Sequence, residues 1–146
     1  MTLDQLVDIV SQGIAWENGF FKQGGKVPPV SVRLCNPGCL EQSSPKPYWK
    51  DSQGNPLPEV NGLVEFDCND DGWRALRAQC RFLVAKRELT FYEIFAGRPG
   101  VYRGLNPMRP DNVTNPMAYA TKVVQFFNRK TGLEADVSSI VLEFAK

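Results

Sequence analysis

Leu3, Leu6, Val7, Val10 and Ile14 recur at a spacing that only a helix gathers onto one face. Thr2 stands where an N-cap belongs, and Gln5 follows at the distance that lets its side chain reciprocate. Gly19 is placed to end the helix. Glu17 lies in the last turn and continues the apolar stripe, about 20° around the axis from Val10 at 100° per residue. A carboxylate there opposes both desolvation and the helix dipole, which disfavour its ionised form and raise its pKa. That is the property of a general acid. A surface glutamate that snorkels to water from a fraying last turn is the plainer alternative.

The same period returns further on. Asn69-Asp70-Asp71-Gly72 initiates a second helix with Trp73, Leu76, Cys80, Leu83 and Val84 as its stripe. Thr90 and Glu93 form a second capping box, opening a short helix that buries Phe91, Ile94 and Phe95 before Gly97-Arg98-Pro99-Gly100 ends it. Asn115-Pro116 starts another, with Met117, Ala120, Val123, Val124 and Phe127 directed inward and Gly132 as the stop. A last short helix is predicted around Val137 to Phe144.

Irregular stretches separate these helices. Val30 to Leu34 alternates briefly and reads as a short strand. Asn36-Pro37-Gly38 reads as a type II turn, with Pro37 supplying the fixed φ and Gly38 the positive one. Glu41 to Pro58 and Val101 to Thr114 are long, aperiodic loops. Tyr48 and Trp49, in the first of these, suit either sugar stacking or packing onto a neighbouring helix. The chain is therefore predicted to be mainly α with a small β hairpin, one domain over residues 1–146.

Histidine is absent from the 146 residues. This removes the usual neutral-pH base, every catalytic triad that needs one, and the commonest metal ligand. What remains is chemistry by carboxylates, by cysteine without an imidazole, or by lysine or tyrosine. Cysteines at 35, 39, 68 and 80 contain no CxxC pair, so neither a metal site nor a cofactor site is predicted. Cys80 reads as a small buried hydrophobe, whereas Cys35 and Cys39 could bridge across their turn or stay free. A net charge of +1 gives no strong drive toward nucleic acid. Arg74, Arg77, Arg81, Lys86 and Arg87 nevertheless share one helical stretch, a solvated face or a contact for an acidic polymer. No run approaches eighteen apolar residues, so no transmembrane segment is expected. The polar, acidic N-terminus does not read as a signal peptide, which implies a cytoplasmic chain until release, or a virion-associated one.

Carboxylate chemistry without histidine is the chemistry of glycosidic bonds. The runs Ile14-Ala15-Trp16-Glu17-Asn18-Gly19-Phe20-Phe21 and Val32-Arg33-Leu34-Cys35-Asn36-Pro37-Gly38-Cys39-Leu40 resemble a lysozyme-like, lytic-transglycosylase-like family of phages and bacteria. The resemblance continues through Val64-Glu65-Phe66-Asp67, Asp71-Gly72-Trp73-Arg74-Ala75-Leu76, Asn115-Pro116-Met117-Ala118-Tyr119 and Thr131-Gly132-Leu133. It implies a lysozyme-like fold, peptidoglycan glycan strands as substrate, and a glutamate ending the first core helix as catalytic acid, here Glu17. It also implies that a hairpin lines the cleft, with Asn36 and Gly38 near the acid, and that Tyr119 sits beside it. Trp49 and Tyr92 are further aromatic candidates for contact with sugar. Relatives carry asparagines where Leu34, Cys35 and Cys39 stand, and Asn18 intrudes between Glu17 and Gly19.

The resemblance leaves two mechanisms. A hydrolase needs a second carboxylate, about 6.5–9.5 Å away for inversion or about 5–5.5 Å for retention, and Asp51, Asp67 and Asp70 are the candidates. A lytic transglycosylase needs only the one glutamate. Two other readings are a catalytically weak or inactive lysozyme-like domain kept for virion structure or wall binding, and a scaffold using its aromatic loops as an interface. A monomer is expected unless the chain is part of a phage or secretion assembly.

Overall fold

A computed structural model describes residues 1–22, 24–42, 48–105 and 115–145. In chain order the elements are α1 (Leu3–Glu17), α2 (Val30–Arg33), β1 (Glu59–Val60), β2 (Leu63–Val64), α3 (Asn69–Arg81), α4 (Phe91–Ala96) and α5 (Pro116–Thr131). A π-helical turn, Phe82–Lys86, prolongs α3, and a 3-10 turn, Val141–Phe144, closes the chain. The protein is thus mainly α-helical with one small antiparallel hairpin. It divides into two compact units, one of residues 1–13 with 77–146 and the other of residues 14–76, the boundaries falling within α1 and α3.

In the first unit the capping signals act as the sequence predicts. The Gln5 amide donates to Thr2 Oγ1 (3.1 Å) and the Thr2 amide to Gln5 Oε1 (2.8 Å), so α1 starts with a reciprocal box. Thr90 and Glu93 make the same pair of bonds at the start of α4. Asn115 caps α5 by accepting from the Met117 amide, Pro116 occupies the first turn, and Gly132 ends the helix in the left-handed region. Leu6, Val7 and Val10 of α1, Cys80, Leu83, Val84, Phe91, Ile94, Phe95, Ala120, Val123 and Phe127 are buried. Met117 is 44% exposed and does not follow the rest of its stripe inward: it sits in the first turn of α5, ahead of the buried run. Phe91, Phe127 and Phe144 pack mutually, with ring centroids 5.3–6.4 Å apart. The C-terminal strip is laced to α4 by backbone bonds from Phe91 N to Ser139 O and from Tyr92 N to Val137 O.

The basic stretch is tied to carboxylates. Arg77 pairs with Asp8 (3.0 Å) and Arg81 with Asp4, both on α1, while Arg74 pairs within α3 with Asp71. Arg87 lies over the Phe82 ring, 5.0 Å from its centre. These exposed pairs each add little stability, and they turn Arg77 and Arg81 toward acidic partners on α1.

The second unit departs from the sequence reading. Val30 to Leu34 is not a strand. Arg33 N donates to Pro29 O and Leu34 N to Val30 O, so the segment forms one helical turn that satisfies its own amides without a partner strand. The hairpin lies later, where Val60 pairs with Leu63 across Asn61-Gly62. Both central residues have positive φ (52° and 85°), the type I′ geometry that Asn-Gly favours. The turn at Asn36-Pro37-Gly38 is closed by Cys39 N to Asn36 O (3.0 Å), but Gly38 lacks the positive φ of a type II turn. Left-handed φ falls instead on Cys35 (51°) and Cys39 (46°). Gly38 is closely packed, since a Cβ there would stand 2.7 Å from Leu76 Cδ1 and displace that side chain.

Asn36 organises this unit. It is 0% exposed, and its amide nitrogen donates to Leu40 O (3.0 Å) and Val64 O (2.9 Å) while its oxygen accepts from Leu40 N (2.9 Å). Phe66 N to Leu34 O and Val64 N to Leu40 O extend the same seam between the 34–40 segment and the hairpin.

Two outcomes follow for stability. Asn36→Ala strands two carbonyls and an amide in the interior, so urea unfolding should show a loss of about 2–4 kcal/mol. Glu93 is held down at about 2 by its bonds to Arg98 (2.6 and 2.8 Å), opposed by partial burial and aided by its capping bonds. Its contribution is therefore complete above its ordinary pKa of 4.5 and is lost as pH falls toward 2. Arg98→Ala should cost up to about 2 kcal/mol at neutral pH for this partly solvated pair, and the gap between variant and wild type should narrow across that acid range.

Candidate functional site

The region around Glu17 is built by the way α1 ends. Phe20 N donates back to Ala15 O and Gly19 N to Trp16 O, both at 3.0 Å, with Gly19 at φ +75°. This is a Schellman stop, and it reverses the chain directly after the last helical turn. Glu17 is the last residue of α1 and is half-buried. Asn18, one residue on, joins three pieces of chain. Its side-chain nitrogen donates to Pro37 O (3.0 Å), and its carbonyl accepts from the buried Ser31 hydroxyl (2.9 Å). Asn18 is thus the clamp that holds the end of α1 against the 31–38 segment. The signal for it in the sequence is an asparagine immediately before a helix-ending glycine.

Aromatic rings surround this reversal. Phe20 meets Phe21 and Trp73 edge-on, with centroids 5.6 and 5.4 Å apart, and Phe21 lies 5.9 Å from Trp73 at a 32° tilt. Phe21 is half exposed and Trp16 is also exposed.

The other candidate residues divide between the units. Asn36 lies in the same unit as Glu17, next to the Pro37 that accepts from Asn18, but every polar atom of its side chain is engaged and buried. Gly38 is buried beside Leu76 and Leu40. Trp49 is half-buried, edge-on to Phe66 at 5.9 Å and to the exposed Tyr48 at 4.7 Å. Gln42 fixes it by accepting from Trp49 N and donating to Trp49 O, both at 2.8 Å. Trp49 is therefore packed, though on Phe66 of the segment between β2 and α3 and not on a neighbouring helix. Tyr92 and Tyr119 belong to the other unit. Tyr119, half-buried on α5, stacks on Phe95 with centroids 5.9 Å apart and planes 21° apart. Part of the second long loop, residues 106–114, lies outside the described residues, as does 43–47 of the first.

The candidate second carboxylates have distinct surroundings. Asp51 Oδ1 accepts from the amides of Gln53 and Asn55 (both 2.9 Å), so it caps the turn at Gly54. Asp67 and Asp70 are exposed, Asp70 in the first turn of α3. All four cysteines are free thiols. Cys80 is the buried hydrophobe its position predicts, its thiol pushed up to about 12 by burial. Among the described residues no group of three or more histidine, cysteine, aspartate or glutamate side chains could hold a metal ion. Nor, among them, is any helix long and apolar enough to cross a membrane.

No protein-family model matches the chain, and comparison with curated proteins and with solved structures gives no match.

The stop after Glu17 makes a testable demand on Gly19. A Cβ there would make only ordinary contacts with Pro29 (3.5 Å), so Gly19→Ala isolates the cost of φ +75°. A loss of about 1–2 kcal/mol in chemical denaturation is expected. Asn18→Ala should cost a similar amount through the lost bond to Pro37.

Proposed function

We propose that this chain is a lysozyme-like protein that cleaves the glycan strands of peptidoglycan, as a muramidase or lytic transglycosylase, with Glu17 as its general acid. The observation that carries the reading is the position of Glu17: half-buried, in the last turn of α1, beside a clamp that joins that turn to the 31–38 segment. A carboxyl at the C-terminal end of a helix is disfavoured as an anion by the helix dipole, which suits an acid that must hold its proton before the reaction.

In the single-acid mechanism Glu17 donates its proton to the oxygen linking N-acetylmuramic acid to N-acetylglucosamine as the bond to the muramic C1 breaks. The ionised Glu17 then takes the proton of the muramic 6-hydroxyl, whose oxygen closes on C1 to give the 1,6-anhydro ring. The acid is regenerated and no water is consumed. This route needs no second carboxylate, and Asp51, one of the three candidates for that role, is engaged as a turn cap. Gly38 and Trp49 shape the wall of the 14–76 unit in this reading. Asn36 supports that wall from inside.

A second reading has a specific observation behind it. Asn36 has no polar atom left for a sugar, and Leu34, Cys35 and Cys39 replace asparagines of the family pattern. A virion-associated or wall-binding domain that holds glycan without cutting it fits those losses.

Purified peptidoglycan incubated with wild type and Glu17→Gln separates the two. The enzyme reading expects muropeptides from wild type with anhydromuramic ends by mass, and at least a hundredfold less release from the variant at unchanged thermal stability. Reducing ends would mark a hydrolase. Equal release by both proteins would sink the role of Glu17, and pelleting with peptidoglycan without release would favour the binding domain.

A further inference from the structure

Cys35 and Cys68 are far apart in sequence and adjacent in the 14–76 unit. Leu34 O accepts from Phe66 N at 2.9 Å, which sets the two chain segments side by side one residue before Cys35 and two before Cys68. The α3 start closes the same gap: Gly72 N donates to Cys68 O (3.2 Å), and a Cβ on Gly72 would overlap the Cys35 carbonyl oxygen. Cys35 is half-buried and Cys68 exposed, both as free thiols. Cys35 also holds a left-handed φ of 51°, a conformation a non-glycine residue adopts only where its surroundings impose it.

From this juxtaposition we propose that Cys35 and Cys68 form an oxidisable pair, closing to a disulfide by exchange with a small-molecule disulfide such as oxidised glutathione. The exposed Cys68 thiolate attacks one sulfur of the oxidant and expels the first glutathione thiolate, leaving a mixed disulfide on Cys68. The Cys35 thiolate then attacks Cys68 Sγ and expels the second. The protein loses two protons and two electrons, and the oxidant becomes two thiols. Burial and the neighbouring Cys68 and Glu65 raise the Cys35 thiol, so the second step quickens with rising pH. The other two cysteines are poor competitors, since burial holds Cys39 up at about 11 and Cys80 at about 12. The bond would tie the 31–40 segment covalently to the start of α3, reinforcing the seam that Asn36 makes by hydrogen bonds. Nothing in it depends on glycan cleavage.

The test is oxidation of the full chain with oxidised glutathione at pH 8, alkylation, and tryptic mapping without reduction. Free thiols should fall from four to two. A cross-linked pair should appear between the peptide that begins at Leu34 and the peptide that ends at Arg74. The first carries Cys39 as well as Cys35, so fragment-ion sequencing and two variants assign the bond. Cys39→Ser should keep the cross-link, while Cys35→Ser should lose it and retain glutathione on Cys68. A cross-link that survives Cys35→Ser, glutathione resting on Cys68 of the wild type with Cys35 still alkylated, or a disulfide-linked dimer on a non-reducing gel would each overturn the proposal.

Discussion

A single buried amide holds the 14–76 unit together. Asn36 bonds to both backbone groups of Leu40 and to the carbonyl of Val64, so one side chain stands in for the ladder that a longer sheet would supply. Among its described residues the unit has only a hairpin of two-residue strands and a one-turn helix besides the end of α1 and the start of α3. Its backbone groups therefore need partners from side chains, because an interior amide left without one is expensive. Ser31, Asn18 and Gln42 do similar service, each reaching across sequence to a main-chain group. The other unit uses the same device where Asn128 brackets both backbone groups of Ala135.

This economy explains the glycines and cysteines of the segment. Gly72 and Gly38 permit close approach of the chain to Cys35 and Leu76, and Cys35 and Cys39 take the left-handed φ that a type II turn would have assigned to Gly38. The 34–40 segment is thus occupied with holding itself in place. If Glu17 acts on a glycan, the groups that position the substrate must come chiefly from elsewhere than Asn36.

Much of the helical framework is legible in the residues. The capping boxes at Thr2 and Thr90, the Asn115-Pro116 start and the stops at Gly19, Gly97 and Gly132 are local chemistry, satisfied within a turn of where they are written. Asn61-Gly62 is equally local, a hairpin signature in plain sight that hydrophobic periodicity passes over because each strand has only two residues. Val30 to Leu34 misleads for the opposite reason. Its alternation matches a strand, but five residues carry too little pattern, and the Ser31 bond to Asn18 joins a helical turn that needs no partner strand.

By itself the sequence determined where α1, α4 and α5 begin and end and where α3 begins, most of the residues they bury, that histidine chemistry is excluded, and that a carboxylate stands at the end of the first helix. Caps and periodic stripes act over three or four residues, so neighbours in sequence suffice to read them. Only the tertiary structure decided that Asn36 faces inward, that Asn18 is a clamp, that the basic face of α3 meets Asp4 and Asp8, and that Cys35 lies against the start of α3. Each of those depends on a partner more than ten residues away. The same polar side chain binds solvent, substrate or backbone according to what the folded chain sets opposite it.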